Sequence, residues 1–305
     1  MKISKTNKRE ENIEMANKEK DENILEVRNL NKNYKGFKLK DINLTLPKGM
    51  IMGLIGENGA GKTTTIKSIL NLTKVDSGEV KIFGLNIKED EKKIKEDIGV
   101  VLDDSFFSEH LTAEDINQIM KNIYENWDEN LFFKFLVDFK LPLKQEFKEF
   151  SSGMKVKLKI ATAISHHPKL LILDEPTSGL DPVARSEILD IFQDFIQNGE
   201  NSILVSSHIT SDLEHIADYI TFISDGRILL SKTRDELLDE YGIVHCTEEE
   251  FKKIDKKDYL RYKKNKYAYD VLIEDKKEFK KRYELKVIDK PTLDDIMVIY
   301  IKGVK

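Results

Sequence analysis

Glycines at 56, 59 and 61, with Lys62 and Thr63 behind them, narrow this chain to a small set of folds. The run Gly56-Glu57-Asn58-Gly59-Ala60-Gly61-Lys62-Thr63 follows the apolar segment Ile51-Met52-Gly53-Leu54-Ile55 and precedes a helix-compatible stretch. A loop of this composition curls with its amide hydrogens turned inward. Those amides, with the N-terminus of the next helix, cradle phosphate oxygens. At these positions Lys62 reaches the β- and γ-phosphates of a nucleoside triphosphate, and the Thr63 hydroxyl is left to hold Mg²⁺.

The second constraint is Leu170-Leu171-Ile172-Leu173-Asp174-Glu175-Pro176, an apolar strand that delivers two adjacent carboxylates at its C-terminal end. Ligand sites in parallel sheets gather at that edge. Asp174 is placed to hold Mg²⁺, directly or through water, and Glu175 to polarise the water that attacks the γ-phosphate.

The pattern around these motifs alternates as strands do through Ile24–Val27 and Leu39–Leu46, up to the turn Pro47-Lys48-Gly49, which predicts an antiparallel β-region. Ser202–Ser206 reads as another buried strand beside Leu170–Leu173, the pattern of a parallel sheet covered by helices. From about Glu109 to Phe150 the chain reads as helical, with Leu131, Phe132, Phe135, Leu136 and Phe139 at helical spacing and expected to form a local core. Beyond about Ser231 it becomes lysine-rich. Thr233 with Glu236 and Thr247 with Glu250 form capping-box patterns, 267–273 suggests a strand, and Pro291-Thr292-Leu293 opens a last helix. Residues 1–22 carry six basic and six acidic side chains with few apolar ones, and read as a disordered leader in which Met15 is an alternative start.

Composition excludes other classes. Of the 305 residues, 40 % are hydrophobic and 34 % charged, with a formal net charge of −5, so no basic field points to nucleic acid. No run approaches the roughly 18 apolar residues that cross a bilayer. The single cysteine, Cys246, rules out an internal disulfide and reads as a half-buried strand residue.

Three further motifs carry a resemblance. Phe150-Ser151-Ser152-Gly153-Met154-Lys155 ahead of a helix, Ser178-Gly179-Leu180-Asp181, and Ser206-Ser207-His208 after a strand resemble the signature, D-loop and switch-histidine motifs of ATP-binding-cassette (ABC) ATPases. The agreement in order and spacing spans roughly residues 24 to 230. The Ser-x-Gly-Met-Lys form and the Asp-Glu-Pro-Thr-Ser-Gly-Leu-Asp-Pro run at 174–182 look like those of ABC-2 type exporters of Gram-positive bacteria, the group that includes bacitracin-resistance pumps.

The resemblance implies an α/β P-loop NTPase core with a mixed sheet, an antiparallel β subdomain and a helical insertion at about 104–168. Together these make a nucleotide-binding domain over 23–230, followed by a small α+β accessory region at 231–305. It implies two such domains meeting head to tail, as a homodimer, with Mg-ATP between them. Ser151, Ser152 and Gly153 of one copy would face the γ-phosphate held by the other, Asp181 would bridge the two sites, and His208 would hydrogen-bond the γ-phosphate and the attacking water together with Glu175. Tyr34 matches the aromatic that stacks on adenine, or else packs under the turn at Gly36. Thr64 would contact the α-phosphate. Where the family carries a Mg²⁺-touching glutamine this chain has Asp103, which either binds metal and water or belongs to an Asp-Asp-Ser turn. In the signature, Ser152 and Met154 replace a glycine and a glutamine.

The function implied is that of an ATPase powering a separate membrane permease. Such a subunit would be cytoplasmic, held at the inner face of the membrane by its permease, with Phe106 and Phe107 as docking candidates, although burial is the simpler account of them. The alternative is a soluble ATPase of the same superfamily that remodels ribosomes or DNA. The span from Lys62 to Ser151 is too short for the coiled coils of chromosome-type members, and one set of motifs is present where ribosome-type members carry two.

Overall fold

The computed structural model describes residues 23–102, 107–266, 268–283 and 287–305. The leader expected over 1–22, the metal candidate Asp103, and Asp104, Phe106 and Tyr267 lie outside the described residues.

Three sheets organise the chain. β1 (Asn23–Tyr34), β2 (Phe37–Pro47), β4 (Ser77–Ile82) and β5 (Leu85–Asn86) form an antiparallel sheet in the order β2-β1-β4-β5. β3 (Ile51–Ile55), β6 (Ile98–Val101), β7 (Leu170–Asp174), β8 (Ser202–Ser207), β9 (Tyr219–Ser224) and β10 (Arg227–Thr233) form the central sheet in the order β10-β9-β3-β8-β7-β6. Its strands from β9 to β6 run parallel, and β10 joins β9 antiparallel at the edge. The expected mixed sheet and antiparallel β subdomain are therefore both present.

β3 and β7 are buried at every residue because both faces of the central sheet are covered. Alternation divides their side chains between two cores. Met52, Leu54, Leu170 and Ile172 meet the antiparallel sheet and the helix Lys62–Ile69, packing with Leu25, Leu44, Ile66 and Ile82. Ile51, Ile55, Leu171 and Leu173 face the other way, toward Ile188, Phe192 and Leu213. Gly53 lies under this second layer, where a Cβ would come within 2.7 Å of Leu213 Cδ1. The missing side chain lets the helix Thr210–Ile216 lie close on β3.

Between β6 and β7 come the helices Ala113–Ile123, Glu129–Asp138 and Ser152–Ile164. Phe132 and Leu136 are buried there with Ile116, Phe147 and Leu158, so the aromatics at helical spacing do build a local core. Phe107 packs edge-on against Phe147 with ring centroids 5.7 Å apart and joins this core, the simpler of its two sequence readings.

The C-terminal part carries a third sheet, antiparallel throughout: β11 (Gly242–Cys246), β12 (Arg261–Lys264), β13 (Tyr269–Ile273) and β14 (Ile288–Asp289), in the order β12-β13-β11-β14. The capping boxes at Thr233, Thr247 and Thr292 all form, and Thr292 opens the helix Leu293–Lys302. Cys246 is fully rather than half buried. Ile243, Leu272, Leu293, Ile296 and Ile299 join the core cluster of the central sheet, while Val244, Val271, Ile273 and Phe279 on the other face form a cluster of their own. β13, the last helix and the short helices behind Thr233 and Thr247 were legible here; β11, β12 and β14 were not. β12 is short and mostly charged, so its alternation is weak, and β11 is only five residues long.

Candidate functional site

The loop 56–61 crosses from the end of β3 to the helix Lys62–Ile69, and its conformation requires its glycines. Gly61, the helix N-cap, has φ 115°, a region closed to residues with a Cβ, and a Cβ at Gly56 would meet Ile223 O at 2.4 Å. Asn58 and Gly59 are exposed at the tip, while Ala60 is buried and its carbonyl accepts from Gly226 N at 2.9 Å. Thr63 is exposed and Thr64 half buried on the first turn.

Lys62 is only 5 % exposed, an arrangement a lysine holds only when its ammonium is well partnered. Its Nζ donates to Gly56 O at 2.7 Å and Glu57 O at 3.3 Å, and lies 3.0 Å from Glu175 Oε1. That last contact is an ion pair without hydrogen-bond alignment. The cation therefore faces the very carboxylate that sequence assigned to water activation.

Glu175 follows the β7 strand in a strained backbone, φ 51°, of the kind that persists where surroundings fix it. Its amide is held by Ser206 Oγ at 3.0 Å, and its Oε2 accepts from the His208 amide at 3.3 Å and lies 2.6 Å from His208 Nδ1. Ser206 also donates to Asp174 Oδ1 at 2.6 Å. Asp174 is 1 % exposed and its other oxygen, Oδ2, is buried without a partner. A carboxylate oxygen is left in that state at the site of a cation or water. With Thr63 on the same edge, the donors are hard oxygens of the kind Mg²⁺ selects. No cluster of three or more His, Cys, Asp or Glu is found among the described residues, which fits an ion held mainly by phosphate and water.

Lys62, Asp174, Glu175 and His208 thus converge where β3, β7 and β8 end, with Ser206 joining the two carboxylates. Sequence reasoning quoted Ser206 only as part of a motif; its burial on β8 beside β7 is what gives it a role. Arg185 and Asp212 were missed, and Thr177 was quoted only within the 174–182 run, because they come together only across two loops. Among the described residues no hydrogen bond joins Ser151, Ser152, Gly153, Asp181 or Tyr34 to this group. Ser151, exposed, caps the helix Ser152–Ile164 by accepting from Met154 N at 3.3 Å, with Ser152 also exposed and Gly153 half buried on its first turn. Asp181, exposed, caps the helix Pro182–Ile196 through Val183 N and Ala184 N, both at 3.0 Å. The Ala184 amide, then the Val183 amide, hold its carboxyl below the usual range. Tyr34 is 44 % exposed, its hydroxyl is 3.0 Å from Thr73 Oγ1, and Lys32 Nζ lies 5.0 Å over its ring, so it stands at the surface and not under the turn.

A cavity of about 880 Å³ lies at the opposite edge of the central sheet, among Glu26, Lys81, Phe83 and Lys169. The converging residues are not part of it; they lie on an open face.

This fold and this site define a P-loop ATPase. A family model described as ABC transporter matches residues 39–178. The chain is 33 % identical over 219 residues to the ABC transporter ATP-binding protein YtrB of Bacillus subtilis (strain 168), covering 72 % of this chain and 75 % of that one. It is 37 % identical over 219 residues to the bacitracin transport ATP-binding protein BcrA of Enterococcus faecalis, covering 71 % of each. A solved structure of the ATP-binding subunit of an ABC transporter superposes with a TM-score of 0.64 at 29 % identity, covering 70 % of this chain and 91 % of that one. The chain belongs to the ABC transporter ATPase family. It is an ATP-binding and ATP-hydrolysing subunit of the kind that powers a separate membrane permease.

Proposed function

We propose that two copies of this chain meet head to tail around Mg-ATP and drive export of a drug-, peptide- or lipid-like cargo through their permease. The observation that carries this reading is a division within one chain. Lys62, Asp174, Glu175 and His208 converge on an open edge, while the exposed first turn of the helix behind Ser151 makes no hydrogen bond to them. A helix N-terminus with free amides attracts phosphate. In the head-to-tail arrangement, that of Ser151–Gly153 completes the site of the opposite copy.

In the assembled site Lys62 turns from the Gly56 and Glu57 carbonyls to the β- and γ-phosphates, which releases Glu175 from its ion pair. Glu175 then takes a proton from the attacking water, and His208, already on its Oε2, holds it in line. Asp174 and Thr63 hold Mg²⁺, whose chemistry when bound is to neutralise charge building on the phosphate oxygens. Tyr34 stacks on the base, Thr64 contacts the α-phosphate, and Asp181 lies along the seam between copies. In the domain division this reading uses, 23–230 binds nucleotide, with its helical insertion at about 104–168, and 231–305 is accessory.

The permease docks where Ile119 and Ile123 are exposed, 40 % and 56 %, beside a cavity of about 550 Å³ edged by Glu91, Lys92, Lys95, Glu96 and Tyr124. An apolar strip rimmed by charge suits an amphipathic partner helix. Among the described residues no helix is long and apolar enough to cross a membrane, so attachment at the inner face of the membrane comes through the permease. The relative that transports bacitracin supports the cargo class, and the net charge of −5 gives no support to a nucleic-acid role.

The test is the mass of the Glu175→Gln protein by light scattering. With Mg-ATP it should run as a dimer and without nucleotide as a monomer; a monomer in both conditions would contradict the shared site.

A further inference from the structure

A second polar cluster lies behind the reactive edge and makes no contact with the phosphate loop. Asp212, on the helix Thr210–Ile216 that starts just after His208, is 4 % exposed. One of its oxygens accepts a hydrogen bond from the Thr177 hydroxyl at 2.8 Å, and the other lies 3.8 Å from the Arg185 guanidinium. A second guanidinium nitrogen of Arg185 reaches Leu180 O at 3.4 Å, and its Nε is buried without a partner. A buried carboxylate is strongly unfavourable unless paired and hydrogen-bonded. The apolar packing of this helix is already supplied by Leu213 and Ile216, so it does not account for the charge.

The placement of these groups gives it a task. Thr177 follows Glu175 by two residues, and Leu180 immediately precedes Asp181. Glu175 is held in its left-handed backbone by Ser206 on one side. On the other side the chain that follows it is fastened, through Thr177 and Arg185, to the helix that follows His208. The 2.6 Å contact between Glu175 and His208 therefore lies inside a loop of fastenings that Asp212 closes.

We propose that Asp212 is a positioning residue for ATP hydrolysis: by clamping Thr177 and Arg185 it sets where Glu175 stands relative to His208, and where Asp181 enters the seam. This rests on the assignment of Glu175 and His208 above. It touches no substrate, and its effect belongs in the chemical step and not in nucleotide binding.

The test uses the full chain and four proteins: Asp212→Asn, Thr177→Val, their double variant, and Glu175→Gln. Asp212→Asn and Thr177→Val should each lower kcat about tenfold or more while KM for Mg-ATP stays within about twofold. The double variant should be no slower than the worse single, because both remove one clamp. The pH dependence of kcat should shift in both singles, a change that general loosening of the fold does not produce. If Asp212→Asn fails to fold, Thr177→Val carries the test, with Thr177→Ser expected to restore the rate. The proposal is overturned if kcat and its pH profile match wild type, or if the losses of the two singles multiply. Wild-type turnover by Glu175→Gln removes the hydrolytic assignment and this one with it. A silent Glu175→Gln beside fully active Asp212 and Thr177 variants removes only the positioning role.

Discussion

In the proposed mechanism the chemistry turns on Glu175, and its surroundings dictate what its loss should do. It is 13 % exposed at the side chain, paired with the Lys62 ammonium and in contact with the His208 ring. Glu175→Gln keeps the shape and removes the base, so steady-state ATP hydrolysis should fall by about 10² to 10⁴-fold, the range for loss of a general base, with nucleotide binding retained. Turnover within a few-fold of wild type would show that another group activates water. A second residue governs stability rather than reaction. His166 is buried, with its Nε2 3.1 Å from the Ile98 carbonyl, and burial pushes its imidazole down to about 4. Unfolding returns it to about 6.5. Between those values the unfolded chain binds more protons than the folded one, so stability is full above pH 6.5 and falls as the pH drops toward 4, by an amount on the order of 3 kcal/mol. Denaturant midpoints at pH 7 and pH 5 should therefore differ, and the difference should shrink in His166→Gln; an equal loss in that variant would place the acid sensitivity elsewhere. The sequence singled out Lys62, Asp174, Glu175 and His208, which the fold brings together, because each lies in a short contiguous motif. It assigned no separate role to Ser206 or Thr177 and did not mention Asp212, because their side-chain hydrogen-bond partners lie 31 or more positions away.

Elements transmit these residue-scale contacts through close packing. The helix Thr210–Ile216 rests on β3 over Gly53, so Gly53→Ala forces a methyl group against Leu213. Overpacking of this kind costs about 1 to 3 kcal/mol. A fall of several degrees in the thermal midpoint is expected, and an unchanged midpoint would mean the helix has room to rise. The same helix is tied at its other end, where Glu214 Oε1 accepts from Leu293 N at 2.6 Å and opens the last helix. Leu293 is fully buried in the core cluster of the central sheet. Leu293→Ala should destabilise the whole protein by about 2 to 5 kcal/mol and show one unfolding transition; a separate early transition of the C-terminal sheet would show that it folds alone. Strands buried on both faces, such as β3 and β7, could be read directly from their apolar runs. The short strands of the C-terminal sheet could not, because β14 is two residues long and β12 carries three basic side chains among its four residues.

At the scale of the molecule, three sheets and four hydrophobic clusters among the described residues leave the edge that carries Lys62, Glu175 and His208 open. The parallel core was legible because phosphate loop, apolar strand and paired carboxylates occur in the order that such a sheet requires. The packing of residues 231–305 onto the central core was not, since lysine-rich composition hides the apolar positions Ile243, Leu272 and Ile296 that make the contact. The central claim is that a working site takes Lys62 from one copy and Ser151 from the other, and complementation tests it most directly. Lys62→Ala and Ser151→Arg should each be inactive alone. When the two are mixed and allowed to exchange, mixed dimers gather both defects in one site and leave the other intact, so ATPase activity should rise to roughly a quarter of wild type. A mixture no more active than its two parents would contradict a site shared between copies.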